Sequence, residues 1–212
     1  MTVTEKLLRP LLARPARPLI TQYDETFGSR VELSVATVAN WAAKTANWLR
    51  DEYDVEPGVD VAVHLPAHWQ TAGVLLGAWW CGARVTADPA QADVTFGRPG
   101  DDVTAVVALD PLGRGLTEPP DHGVDYLNEI RAYGDSYDPW EPVPGDAKAL
   151  VESSIDELVA AAHDRAESLG ITAGSRVMST LDWTFPDGVL SGLLAVLAAG
   201  ASLVQCDKVA AD

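Results

Sequence analysis

The chain has 212 residues carrying 15 basic and 31 acidic side chains, a net charge of −16. Such a surface repels phosphate backbones and anionic headgroups, which excludes nucleic acid and membranes as expected partners. At 47% hydrophobic and 22% charged residues the chain can close a real core, so disorder and fibrous repeats are excluded too.

Glu5, Lys6 and Arg9 interrupt the first apolar residues, so no secretory signal is read there. Thr4 is expected to cap a helix from Glu5 to about Ala13, stopped by Pro15 and Pro18. Leu19 to Tyr23 and Arg30 to Leu33 read as a hairpin around the loop Asp24 to Ser29. Ser34 then caps a helix with Val35, Val38, Ala42, Thr45 and Leu49 inward and Asn40, Lys44, Asn47 and Asp51 outward. After the Pro57-Gly58 turn come a strand, Val59 to Leu65, and a helix, Trp69 to Cys81, that is apolar nearly all round and ends at Gly82. Trp79 and Trp80 cannot share one helix face, so one is expected to meet a second layer or a partner chain.

Arg84 to Ala87, Val94 to Phe96 and Ala105 to Leu109 are short strands. Strands alternating with helices predict an α/β fold of mostly parallel sheet. Residues 110–146 are proline-rich, with one short helix near Tyr126 to Arg131, and read as a surface crossover. Beyond it lie a strand, Ala147 to Val151, and a helix, Ile155 to Leu169, opened by a Ser154/Glu157 capping box. Gly188 to Cys206 contains no charge, but Gly200-Ala201 breaks it into a helix and a strand, which excludes a membrane span.

The halves repeat. Pro57-Gly58-Val59-Asp60-Val61 aligns with Ala173-Gly174-Ser175-Arg176-Val177, and Gly82-Ala83-Arg84-Val85 with Gly200-Ala201-Ser202-Leu203. The expected organisation is a first α/β unit at 1–109, the crossover at 110–146, and a second, shorter unit at 147–212 packed on the first.

Val35 to Asp88 and Ile171 to Asp207 resemble the N-terminal region of the adenylate-forming superfamily of acyl-CoA synthetases, adenylation domains and luciferases. The resemblance implies that fold, and ATP binding through a Ser/Thr/Gly-rich loop ending in Pro-Lys. Here the matching strand runs through Glu152-Ser153 straight into the capped helix, so the loop is missing and no cofactor is expected. An aromatic-His pair of the family falls near Phe185, where this chain has no His. The sequence also stops at Asp212, before the family's adenine, ribose and metal contacts and its catalytic lysine domain.

Other constellations have structural readings. Pro66 breaks the His64/His68 metal spacing, so no metal is expected; Gly97-Arg98-Pro99-Gly100 and Gly113-Arg114-Gly115 read as turns. Asp182 and Asp187 read as loop and cap residues rather than an acid/base pair. Cys81 and Cys206, in apolar text, read as reduced, buried thiols of a cytoplasmic protein. The expected function is a non-catalytic remnant that binds or interacts, with Asp182, Trp183 and Phe185 as the candidate residual pocket. The alternatives are a divergent ligase or hydrolase using that pocket, or one subunit of a split enzyme. Strand Ser202 to Cys206 is expected to present an open edge, and hence a homodimer, unless the N-terminal helix covers it.

Overall fold

The computed structural model describes residues 1–25 and 28–206. Thr26 and Phe27 of the first loop, and residues 207–212, expected as the only following cover of the last strand, lie outside the described residues.

Thr2, not Thr4, opens α1 (Val3–Leu7), accepting from the Glu5 N–H while the Glu5 carboxylate accepts the Thr2 N–H at 2.8 Å. Thr4 turns inward and donates to the Leu76 carbonyl at 2.6 Å. Pro10 has no N–H to continue the α ladder, so the expected single helix becomes α1 and a 3-10 turn, Arg9–Ala13.

The strands β1 (Pro18–Asp24) and β2 (Ser29–Ser34) form the expected hairpin. Ser34 caps α2 (Val35–Tyr53). Then follow β3 (Asp60–Val63), α3 (Trp69–Cys81), β4 (Arg84–Thr86), β5 (Val94–Gly97) and β6 (Ala105–Val106). Gly82 ends α3 in the left-handed region, φ 84°. β7 (Val124–Asp125) leads into α4 (Tyr126–Ile130), and β8 (Lys148–Leu150) turns into β9 (Ser153–Ser154). The Ser154/Glu157 capping box starts α5 (Ile155–Ser168) as expected. β10 (Arg176–Ser179) is followed by α6 (Asp187–Val189), a π-helical stretch (Leu190–Leu194), α7 (Ala195–Ala198) and β11 (Ser202–Cys206). No helix among the described residues is long and apolar enough to cross a membrane.

The strands form two mixed, mostly parallel sheets in the orders β10-β11-β1-β2 and β7-β6-β5-β3-β4-β8-β9. The sequence repeat reappears as register. β3 pairs β4 with Asp60 opposite Arg84 and Val61 opposite Val85, and β10 pairs β11 with Arg176 opposite Ser202 and Val177 opposite Leu203. Arg84 N–H donates to the Val59 carbonyl at 2.9 Å, and its counterpart Ser202 N–H donates to Ser175 at 3.1 Å.

What the repeat does not announce is an exchange of hairpins. β1 of the first hairpin lies parallel to β11, and β8 of the second lies parallel to β4. Each sheet therefore mixes strands from 1–109 with strands from beyond 147. This corrects the open-edge argument for a homodimer: β11 is interior, flanked by β1 and β10, so its N–H and C=O groups have partners on both sides. The N-terminal segment reaches the other end of the repeat, where the Arg17 guanidinium donates to the Gly200 and Ala173 carbonyls at 2.6 and 2.8 Å.

The proline-rich segment is more than a surface crossover. β7 extends the larger sheet, and Tyr126, Leu127 and Ile130 are core residues. The segment also covers part of the α2 face expected outside. The Asn47 amide donates to the Gly134 and Ser136 carbonyls at 3.2 and 2.9 Å, and Lys44 pairs with Asp135 at 2.7 Å. Trp79 and Trp80 resolve within one chain: the Trp79 indole donates to Ala149 of β8 at 2.8 Å, and Trp80 packs on Tyr137. Cys81 is buried, its thiol pushed up to about 12 by desolvation, whereas Cys206 is only half-buried.

Candidate functional site

Parallel strands deliver their following loops to one edge of a sheet, and ligand clefts form there. The loops after β3, β4, β5 and β10 enclose such a cleft of about 850 Å³. Asp182, Trp183 and Phe185 line it together with His64, Leu65 and Pro66 and with Arg98, Gly100, Asp101, Asp102 and Val103. Arg98 is the only lysine or arginine among the described lining residues.

The three sequence candidates differ in what they do. Asp182 Oδ1 accepts the N–H groups of Ala67 at 3.2 Å and Trp183 at 2.9 Å, tying the loop after β10 to the start of α3. Trp183 is 3% exposed and lies against Gly192 of the π-helical stretch, where a Cβ would come within 2.7 Å of Nε1. Its indole N–H is buried without an acceptor among the described residues. Phe185 is half-buried and contributes an apolar wall. Asp187 is exposed and faces Arg165 at 3.7 Å, so the structure gives it a different partner from Asp182.

The glycine groupings are turns. Arg98 N–H donates to Asp101 Oδ2 at 2.7 Å, and Gly113 N–H donates to Asp110 O at 2.9 Å. His64 Nε2 lies 2.6 Å from the Ala87 carbonyl, and His68 caps α3 by accepting the Gln70 N–H on Nδ1 at 3.2 Å. The two histidines thus serve different elements.

Burial lowers the His68 pKa to about 4 from 6.5, against the opposing pull of Asp24 and Asp110. Between these values the unfolded chain binds a proton that the folded chain refuses, so stability rises with pH across that window and is lost as pH falls through it. His68→Asn keeps a cap and removes the titration. The denaturation midpoint of the variant is expected to vary less between pH 4 and 6.5 than that of the parent. Equal slopes would show that His68 is not the group responsible.

A second cavity, about 400 Å³, opens at the carboxyl ends of β1, β10 and β11 beside the start of α3. Asp24, His68, Asp182 and Gln205 line it, and it shares Pro66 and Asp182 with the first cleft. Sequence reasoning missed it: the one signal was a glutamine within an otherwise apolar strand, and His68 was weighed only as a metal ligand.

The phosphate-loop position can be read directly. Lys148 stands opposite Ser154 and Leu150 opposite Ser153, so only Val151 and Glu152 join β8 to β9. Val151 takes the turn at φ 53°. Ser154 Oγ is committed to Glu157, and Lys148 Nζ to the Glu152 carbonyl. A two-residue turn offers no row of free N–H groups, so these residues do not fit a triphosphate.

The whole arrangement matches the N-terminal domain of acyl-CoA synthetases and related adenylate-forming enzymes. The N-terminal domain of FACL13 from Mycobacterium tuberculosis superposes with a TM-score of 0.70 over 99% of this chain and 58% of that one, at 15% identity. Brucella canis acyl-CoA synthetase gives 0.75 at 15% identity, and the anthranilate CoA ligase AuaEII 0.77 at 14%. The chain spans 44% and 46% of those two structures, about half their length. No protein-family model matches the chain. A Mycobacterium tuberculosis protein of the TIGR03089 family is 44% identical over 96% of this chain and 89% of its own length. The chain therefore belongs to the TIGR03089 family.

Proposed function

We propose that this protein is a non-catalytic member of the adenylate-forming fold that binds a small, partly apolar organic molecule in the Trp183–Phe185 cleft. The observation that carries this reading is the two-residue β8–β9 turn, which stands where the resembling enzymes have a triphosphate loop. Activation of a carboxylate by ATP needs preorganised donors around the phosphates, and none is offered there. The cleft supplies apolar side chains beside one guanidinium, Arg98, and three carboxylates, Asp101, Asp102 and Asp182, a combination suited to an apolar ligand bearing a neutral polar end. The commitment of Asp182 Oδ1 to two backbone N–H groups supports a positioning role over acid/base chemistry.

Two measurements test the reading. Purified protein is expected to give no carboxylate-dependent exchange of pyrophosphate into ATP; reproducible exchange would overturn it. Native mass spectrometry is expected to show a retained small molecule that is lost in Phe185→Ala. A parent and variant with the same ligand-free mass would count against the cleft.

A further inference from the structure

A further cavity, about 250 Å³, opens where β1, β10 and β11 begin, at the opposite end of these strands from the cavity lined by Asp182. Successive turns bring two arginines to it. Arg14 N–H donates to the Leu11 carbonyl at 3.0 Å and Arg17 N–H to the Arg14 carbonyl at 3.1 Å. Residues three apart in such turns share a side, and Leu11, Arg14 and Arg17 all line the cavity.

The repeat explains why there is space. In the first copy the Gly82 carbonyl accepts the Gly58 N–H at 3.1 Å, and a Cβ on Gly82 would meet Pro57 at 3.2 Å, so that turn is closed. In the second copy the Gly200 carbonyl accepts from Arg17 instead, and a Cβ on Gly200 would meet nothing nearer than Leu11 at 3.6 Å.

The charges select the occupant. The Arg17 guanidinium donates to the Gly200 and Ala173 carbonyls, which fixes its plane, leaves further N–H groups uncommitted and does not balance its charge. Neither Arg14 nor Arg17 has an ion-pair partner among the described residues. No aspartate or glutamate is among the described residues lining the cavity. In a chain with 31 acidic side chains against 15 basic ones, two arginines left without a carboxylate at one cavity mark a place for an anion from outside. The rest of the lining is apolar, and Pro10, Leu11 and Ala173 are open to a ligand.

We propose that this cavity binds a short aliphatic carboxylate, its carboxylate held by the Arg14 and Arg17 guanidiniums and its alkyl chain lying on Pro10, Leu11 and Ala173. The site shares no residue with the Trp183–Phe185 cleft, so it stands or falls independently of the function proposed above.

Calorimetric titration of the full chain with pentanoate, pentanol and pentylammonium tests the proposal. Saturable binding of pentanoate is expected, at least about tenfold tighter than pentanol because the hydrogen bonds are charge-assisted, with pentylammonium not binding. Arg14→Gln and Arg17→Gln are each expected to weaken pentanoate about tenfold. Arg9→Gln removes the same charge from the same segment outside the cavity and is expected to leave the affinity unchanged. Should Arg17→Gln fail to fold by circular dichroism, Arg14→Gln, on an exposed residue, carries the test. No saturable pentanoate binding, pentanol or pentylammonium binding as tightly, unchanged affinity in Arg14→Gln, or an equal loss in Arg9→Gln would overturn it.

Discussion

Gly77→Val is expected to destabilise the protein by about 3 kcal/mol, the upper end of the usual range for overpacking. α2 and α3 pack together here at backbone distance. A Cβ on Gly77 would stand 2.5 Å from Thr45 Cβ and 2.9 Å from the Ala42 carbonyl, and neither is the end of a flexible side chain. Relief requires the helices to part, which opens a close-packed layer of the core. For a chain of this size the loss corresponds to a fall in Tm of about 6–12 °C. Gly73 on the same helix is the control. A Cβ there meets Trp41 Cβ at 3.4 Å, an ordinary contact. Gly73→Ala is expected to be neutral or stabilising by up to about 1 kcal/mol through helix propensity. Thermal melts of both variants check the pair; similar losses in both would mean that general sensitivity of α3, not the close approach at Gly77, sets the cost.

The second large effect separates two buried tryptophans. Trp79→Ala is expected to cost about 3–5 kcal/mol, because a fully buried indole leaves a cavity between α3 and β8. Conservative replacement distinguishes the polar from the apolar contribution. Trp79→Phe removes the indole donor to Ala149 O, an expected loss of about 1 kcal/mol beyond the packing change. Trp183→Phe removes an N–H that has no acceptor among the described residues, so the same substitution is expected to cost at least about 1 kcal/mol less than at Trp79. Denaturant midpoints measured on the two phenylalanine variants decide it. A larger loss at Trp183 would mean that its N–H finds an acceptor in solution.

Both predictions rest on contacts between elements, and that is where reading the sequence reached its limit. α3 was legible to the residue, Trp69–Cys81, because it is apolar all round and Gly82 supplies the left-handed stop beside it. The Ser154/Glu157 capping box was legible for the same reason: its hydrogen bonds close within three residues. The first cap was not. Thr2 and Thr4 both precede a helical run, and what chose between them was the Leu76 carbonyl, which is distant in sequence and captures the Thr4 hydroxyl.

The candidate site divides in the same way. Asp182, Trp183 and Phe185 are sequence neighbours, so finding one found all, but Arg98 and His64 join them only because parallel strands send their loops to one edge.

By itself the sequence determined the α/β alternation and the internal repeat with its register, carried by steric and hydrogen-bonding rules that act over a few residues; the loss of the phosphate loop was legible only through the family resemblance. Only the tertiary structure decided which strands pair. An open strand edge accepts any strand of suitable direction, so whether β11 would meet β1, a second chain or solvent depended on how the two halves dock. The hairpin exchange that resulted gave β11 partners on both sides and placed the ends of β1, β10 and β11 around one cavity.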